Sequence, residues 1–343
     1  MTVRHRLSIL GLTTGLLLAA CTAPSATVSP SASSSATPAA LRPVRLLLGF
    51  QPDVQFSPFY LGQQAGYYAD AGFTVSIEYK SDADLVRLVA DGQAEFGVAD
   101  ATDVMISRTA GIPIRYVSTL YDLFPVALIG PKGTVPGVGN LASLAGKRIG
   151  TPGKYGSSWH ALLAILDAAG LKETDVKIRE YPSYNQVEGL LNGDVDLITG
   201  FRNNEPLQLA ARGMPVDLLT VEDVAPLPGP GMIVGDQLLA AEPGTVAAFA
   251  HATLKAQQAI AADPQVGLAA AIAVEPTIGA DRATALAVLK ATIDLWRGTG
   301  SAPTGAIDQA VWGAGYATMR RLGLIDGSVP VSEMFNSVLA GGG

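Results

Sequence analysis

The chain has one cysteine in 343 residues, at Cys21. A lone thiol excludes an intramolecular disulfide and a thiolate metal site. Histidine is almost as scarce: His5, His160 and His251 lie far apart and have no metal-ligand spacing. Charged residues make up only 15%, with 30 acids against 23 bases, a net charge of −7 and no basic stripe. Neutralising phosphate needs clustered Lys and Arg, so nucleic acid is set aside as a partner. No paired carboxylates stand in a pattern that suits general acid–base work. No cofactor is expected. The apolar run Ser8–Ala20 is too short for a comfortable membrane helix. What is plentiful is apolar residues, at 48%, and enough length for two domains with a sizeable core.

The N-terminus reads as an export signal over residues 1–20, with Arg4, His5 and Arg6 as its basic start. It ends in Leu18-Ala19-Ala20-Cys21, which resembles the bacterial lipobox, in which the cysteine is acylated and becomes the first mature residue. Residues 21–42, rich in Ser, Thr, Ala and Pro, have almost nothing to bury and read as a flexible tether. About twenty such residues reach roughly 25 Å. The expected location is the outer face of the cell membrane, with contact through the lipid alone.

The stretch from Val44 to Asp100 organises the rest. Val44–Phe50 has strand length, and a polar loop with Asp53, Gln55 and Ser57 follows. Ser57–Ala69 is predicted as a helix with Pro58 in its first turn, and Gly72 as the stop. Phe73–Tyr79 alternates as a strand. Ser81 and Asp84 have capping-box spacing for a helix ending near Gly92, and Glu95–Ala99 is a third strand. The same plan returns a hundred residues later: strand Lys147–Thr151, helix Ser158–Ala169, strand Val176–Tyr181, a helix after Ser183 and Gln186, and strand Asp196–Gly200. Strand–helix alternation of this kind predicts mostly parallel sheets, and its repetition predicts two α/β lobes. Ligands of such sheets sit beyond the carboxyl ends of strands, so loops 51–57 and 152–158 should face each other across a cleft.

The lipobox, the tether and the two lobes resemble the solute-binding proteins of ABC importers. The segment Ser57–Phe73 is similar to a signature of the group that holds nitrate, sulfonate and taurine binders together with thiamine-pyrimidine binders and synthases. Gly92–Gly97 and Leu144–Gly150 carry further similarity. The resemblance implies a type II periplasmic-binding-protein-like fold. Lobe one would comprise residues 43–130 and 226–343, and lobe two residues 131–225. It also implies an ABC permease and ATPase as partners, and a monomer. Gly130–Asn140 and Pro226–Gly235, rich in Gly and Pro, suit the two crossings between lobes. Pro243–Ala262, Pro264–Ala273, Ala280–Trp296 and Ile307–Leu322 read as helices that complete lobe one.

The candidate ligand-binding residues fall in three places. In the first loop and helix start they are Asp53, Gln55, Phe56 and Tyr60, where Tyr60 and its neighbour Phe59 serve equally well as core. At the matching helix start of lobe two they are Tyr155, Ser157, Ser158 and Trp159. Free N–H groups there suit an anion or a carbonyl oxygen, and one of the two serines is expected to cap the helix. The third set, Asn203 and Glu205, follows the last strand of lobe two and resembles an Asn-x-Glu segment of pyrimidine-type relatives; either Asn203 or Asn204 could equally cap a helix before Pro206. Asp100, Thr102, Tyr121 and Asp122 are weaker candidates.

Aromatic faces on both walls with carboxyl and amide groups between them suit a planar heterocycle with N–H and C=O edges. The resemblance implies a thiamine pyrimidine or riboflavin, and because Asp53, Gln55, Ser57 and Ser158 suit a polyol tail, riboflavin is expected first and a thiamine pyrimidine precursor second, with an aliphatic sulfonate or taurine as the alternative. The acids Asp53 and Glu205 count against a sulfonate. The enzyme alternative, a pyrimidine-synthase-like reaction, is disfavoured, because the relatives that catalyse it carry a cysteine-rich motif that this chain lacks.

Overall fold

A computed structural model describes residues 40–339. The signal, Cys21 and all but the last few residues of the tether therefore lie outside the described residues. In chain order the main elements are β1 (Arg42–Leu48), α1 (Ser57–Gln64), α2 (Tyr67–Asp70), β2 (Phe73–Tyr79), α3 (Asp82–Ala90), β3 (Phe96–Ala99), α4 (Ala101–Thr109), β4 (Ile114–Thr119), β5 (Val126–Pro131), β6 (Arg148–Thr151) and α5 (Gly156–Ala168). They continue with β7 (Lys177–Glu180), α6 (Gln186–Leu191), β8 (Leu197–Phe201), α7 (Glu205–Ala211), β9 (Val216–Thr220), β10 (Gly231–Gly235), α8 (Asp236–Ala241), α9 (Pro243–Ala262), α10 (Pro264–Val274), α11 (Arg282–Arg297) and α12 (Gln309–Arg321).

The strands form two five-stranded sheets, ordered β2-β1-β3-β10-β4 and β7-β6-β8-β5-β9. Both sheets follow one plan. The first strand of each triplet lies between the second and third, and a single strand runs against the rest. In each sheet that antiparallel strand has just arrived from the other lobe: β5 pairs with β8 and β9, and β10 pairs with β3 and β4. This corrects the expected crossings. The chain passes between sheets at 120–125 and 221–230, and the Gly- and Pro-ended segments Val126–Pro131 and Gly231–Gly235 are strands. Gly231 permits this, since a Cβ there would meet the Tyr116 ring at 2.2 Å.

Both faces of the first sheet are covered, so the run Leu46-Leu47-Leu48 is fully buried without alternation. One cluster joins β1 and β2 to α1 and the C-terminal helices, with Phe96 and Tyr68 stacked on Phe249. The other face packs α3 and α4 against α12, with Trp312 on Tyr116. The second sheet has its own cores, one of them centred on α5. The four predicted C-terminal helices are present within two residues of their expected ends. The helix predicted from Ser57 to Ala69 is two helices, because Gly66 takes a left-handed conformation (φ 77°). Ser81 caps α3 through the Asp84 amide as its spacing indicated. Ser183 caps nothing: α6 begins after Asn185, and Tyr184 before it has φ 53°.

Candidate functional site

A cavity of about 150 Å³ lies between the two sheets, and residues of both lobes line it. Lobe one contributes Phe50, Gln55, Phe56, Asp100 and Tyr121. Lobe two contributes Tyr155, Ser157, Ser158, Tyr184, Gln186, Phe201, Asn204 and Glu205. The volume matches cavities that hold a single benzene-sized ring, which favours a flat ring over a lone small ion.

The loop after β1 shapes the first wall. Asp53 caps a short 3₁₀ turn, and its Oδ1 accepts from both the backbone N and the Nε2 of Gln55, each at 3.0 Å. Burial pushes the Asp53 carboxyl up from its ordinary range, against the lowering effect of those two bonds. Gln55 Oε1 in turn accepts from Asn203 Nδ2 at 2.6 Å and from the Tyr121 hydroxyl at 3.3 Å. Asn203 Nδ2 also donates to Thr292 Oγ1 at 2.7 Å. Asp53 and Asn203 thus hold Gln55 in place from outside the cavity and do not line it.

The two non-glycine residues with positive φ among the described residues are Phe50 (64°) and Tyr184 (53°). Aromatic residues seldom adopt this conformation, and such strain concentrates at functional sites. Their rings meet edge to face across the cleft at 4.9 Å. Sequence reasoning missed both. Phe50 read as the last residue of a strand and Tyr184 as the interior of a capping box, and backbone sign leaves no trace in residue type.

In lobe two, α5 presents its first turn to the cavity. Neither serine caps it. Tyr155 at the N-cap position makes no side-chain cap, and the Ser157 amide instead donates to Asp100 Oδ2 at 2.8 Å, across the cleft from lobe one. Two turns of the same contact surface are joined deeper in, where His160 Nδ1 lies 2.9 Å from Thr102 Oγ1 and 3.7 Å from Asp103 Oδ1. Burial pushes the His160 ring down to about 4. Trp159 does not face the cavity. It is 7% exposed within the α5 core, with the Lys154 ammonium over its ring at 5.5 Å. Tyr60 is likewise inside the lobe-one core, its hydroxyl bonded to that of Tyr79, and Phe59 lies beside it.

Glu205 opens α7, and its Oε2 accepts from the Phe201 amide at 2.8 Å while its Oε1 accepts from Gln186 Nε2 at 3.2 Å. Desolvation pushes its carboxyl up to about 7, although two backbone bonds oppose the shift. Near neutrality it can therefore accept or donate. Gly200 leaves room for it, since a Cβ there would meet Glu205 Cδ at 2.9 Å. The cavity thus presents ring faces on both sides, a carboxyl and an amide at one edge, and hydroxyl and amide groups near α5. Among the described residues its lining holds no Lys, Arg or His. No group of His, Cys, Asp and Glu among them could hold a metal ion, and none of their helices is long and apolar enough to cross a membrane.

Comparison with known proteins places these features. A family model described as NMT1/THI5 like matches residues 53–266. The riboflavin-binding protein RibY of Chloroflexus aurantiacus is 32% identical over 99% of both chains. A 4-amino-5-hydroxymethyl-2-methylpyrimidine phosphate synthase of Legionella pneumophila is 28% identical, but over 48% of this chain and 51% of its own. Among solved structures, the alkanesulfonate-binding protein SsuA of Xanthomonas axonopodis pv. citri, bound to MOPS, superposes with a TM-score of 0.68 at 18% identity, covering 87% of this chain and 99% of its own. That likeness establishes the periplasmic-binding-protein fold.

Proposed function

The chain belongs to the NMT1/THI5-like family, and from that premise we propose that it is the extracytoplasmic solute-binding lipoprotein of an ABC importer, capturing riboflavin between its lobes. One observation carries this reading: rings on both walls, at Phe50, Phe56, Tyr155 and Tyr184, meet a polar edge made by Glu205 and Gln186. A flavin ring has an N–H between two carbonyls, which a carboxylate and an amide match in turn. Gln55, Ser157 and Ser158 suit the hydroxyl chain that the ring carries. The near full-length similarity to a riboflavin-binding protein favours this ring. The synthase relatives match 48% to 65% of the chain at 22% to 28% identity, well short of the RibY match, and no catalysis is proposed.

A single pyrimidine ring is the second reading, favoured by the cavity volume of about 150 Å³. A three-ring flavin needs the lobes to stand further apart than they do here. Fluorescence titration of residues 40–343 into dilute riboflavin separates the two. Stacking on the cleft tyrosines should quench the flavin, and Tyr184→Ala should weaken the quenching. An unquenched flavin, together with thermal stabilisation by a thiamine pyrimidine precursor, favours the second reading. Stabilisation by neither removes both. The anchor is tested separately: Cys21→Ser should move the protein out of the membrane fraction, and retention there would refute the lipid attachment.

A further inference from the structure

Resting on the cavity as the ligand site, we propose that Asp100 makes this cavity refuse anions, so that it takes an uncharged heterocycle and rejects the phosphorylated or sulfonated counterpart.

The first turn of a helix carries unpaired N–H groups and the positive end of the helix dipole, which together bind anions. In α5, thirteen residues long, that turn opens into the cavity through Gly156, Ser157 and Ser158. Tyr155, at its N-cap position, supplies no side-chain cap. The place is taken instead by Asp100 Oδ2, bonded to the Ser157 amide at 2.8 Å. Asp100 stands at the N-cap of α4, where an Asp ordinarily bonds the amides of its own helix. Here it makes no such cap and reaches across to the other lobe. The carboxylate that neutralises the α5 terminus therefore belongs to the lining of the cavity itself.

The remainder of the lining points the same way independently. It holds a second carboxyl, Glu205, and among the described residues no cationic side chain. A phosphate or sulfonate arriving at α5 would have to displace Asp100 from the Ser157 amide and remain beside the displaced carboxylate. A neutral hydroxyl or carbonyl does neither.

The test compares riboflavin with flavin mononucleotide on wild type, Asp100→Asn and Asp100→Ala, each first shown to be folded by circular dichroism. Wild type should prefer riboflavin by about 100-fold or more, the scale of a like-charge clash in a cleft open to solvent on one side. Asp100→Asn keeps an acceptor for the Ser157 amide but loses the charge, and should narrow the preference at least tenfold by gaining affinity for the mononucleotide. Equal wild-type affinities, or an unchanged preference in both variants, would overturn the proposal. A second arm needs no flavin binding: thermal shifts with inorganic phosphate and methanesulfonate. Asp100→Ala should be stabilised by one or both where wild type is not. Equal shifts in the two proteins, or none in either, overturn the idea even if riboflavin proves to be the wrong ligand.

Discussion

The two lobes repeat one strand order but finish their cleft edges differently. In lobe one the loop after β1 is held through the Gln55 side chain: Asp53 grips Gln55 twice, the Tyr121 hydroxyl adds a third bond, and Asn203 of lobe two adds a fourth. In lobe two the loop after β6 leaves Tyr155 45% exposed, and the helix behind it takes its cap from Asp100 of the other lobe. A repeated plan thus fixes where loops fall and leaves their chemistry free. Both edges are bonded across the cleft, one through a network of side chains on Gln55 and the other through the backbone amide of Ser157.

The largest expected effect comes from breaking the side-chain network around Gln55. Gln55→Ala removes the acceptor of Asn203 and Tyr121 and a donor to Asp53, leaving buried polar groups unpaired. It should cost about 3 kcal/mol of stability, read by urea unfolding. The matching change in lobe two, Ser157→Ala, keeps the backbone amide that Asp100 uses and should cost only about 0.5 kcal/mol. Equal losses would mean that the two edges are built alike after all.

The contact between lobes should sense acid. His160 is buried with its ring held down at about 4, below its ordinary value. A depressed histidine contributes stability that is present above about 6.5 and lost as pH falls toward 4. At pH 5 the loss attributable to this ring should be about 2 kcal/mol, since each unit below the ordinary value costs about 1.4 kcal/mol. His160→Gln should flatten that slope in thermal melts between pH 7 and 4.5. A slope unchanged by the substitution would place the acid sensitivity elsewhere.

The aromatic pair across the cleft should matter less to stability than to ligand. Tyr184→Ala removes one ring contact, and about tenfold weaker riboflavin binding is expected from one aromatic pair. Trp159→Ala should instead destabilise the α5 core by about 3 kcal/mol. If instead it destroys binding in a fully folded protein, the outward placement read from sequence was the better one.

That contrast shows what the sequence carries. Periodicity and caps were enough for the two sheets, the long C-terminal helices and the loops that face the cleft, because those depend on local patterns and burial. The antiparallel strands β5 and β10 were hidden by their Gly and Pro ends, which read as turns. Trp159 sits one residue beyond Ser158, and on a helix that step rotates the side chain by about 100°, from cavity to core. Phe50 and Tyr184 could not be found at all, since nothing in residue type marks a left-handed aromatic. Asp100 was only a weak candidate because its partner, the Ser157 amide, is 57 positions away in the other lobe.

A small expected effect separates the carboxyl of the cavity from its bonds. Glu205 is held up to about 7 chiefly by desolvation. A carboxyl raised above its ordinary value of about 4.5 contributes stability that is complete below 4.5 and lost as pH rises through 7, because the buried group must then ionise. Glu205→Gln can still accept from the Phe201 amide through its one oxygen, and its Nε2 can donate to Gln186 Oε1 once that amide turns over, but it cannot ionise. The variant should match wild type at pH 5 and exceed it at pH 8. Solvent at the open side of the cavity screens the charge, so the gain should be about 1 kcal/mol rather than the whole of the shift. Thermal melts of the ligand-free protein at the two pH values measure it. A gain that is equal at both values would mean that Gln simply packs better, and that the lobe-two edge holds no proton near neutrality. A gain confined to pH 8 would give that edge a titratable group able to meet a ligand as donor or acceptor, whereas the Gln55 amide of lobe one offers each role on a fixed atom.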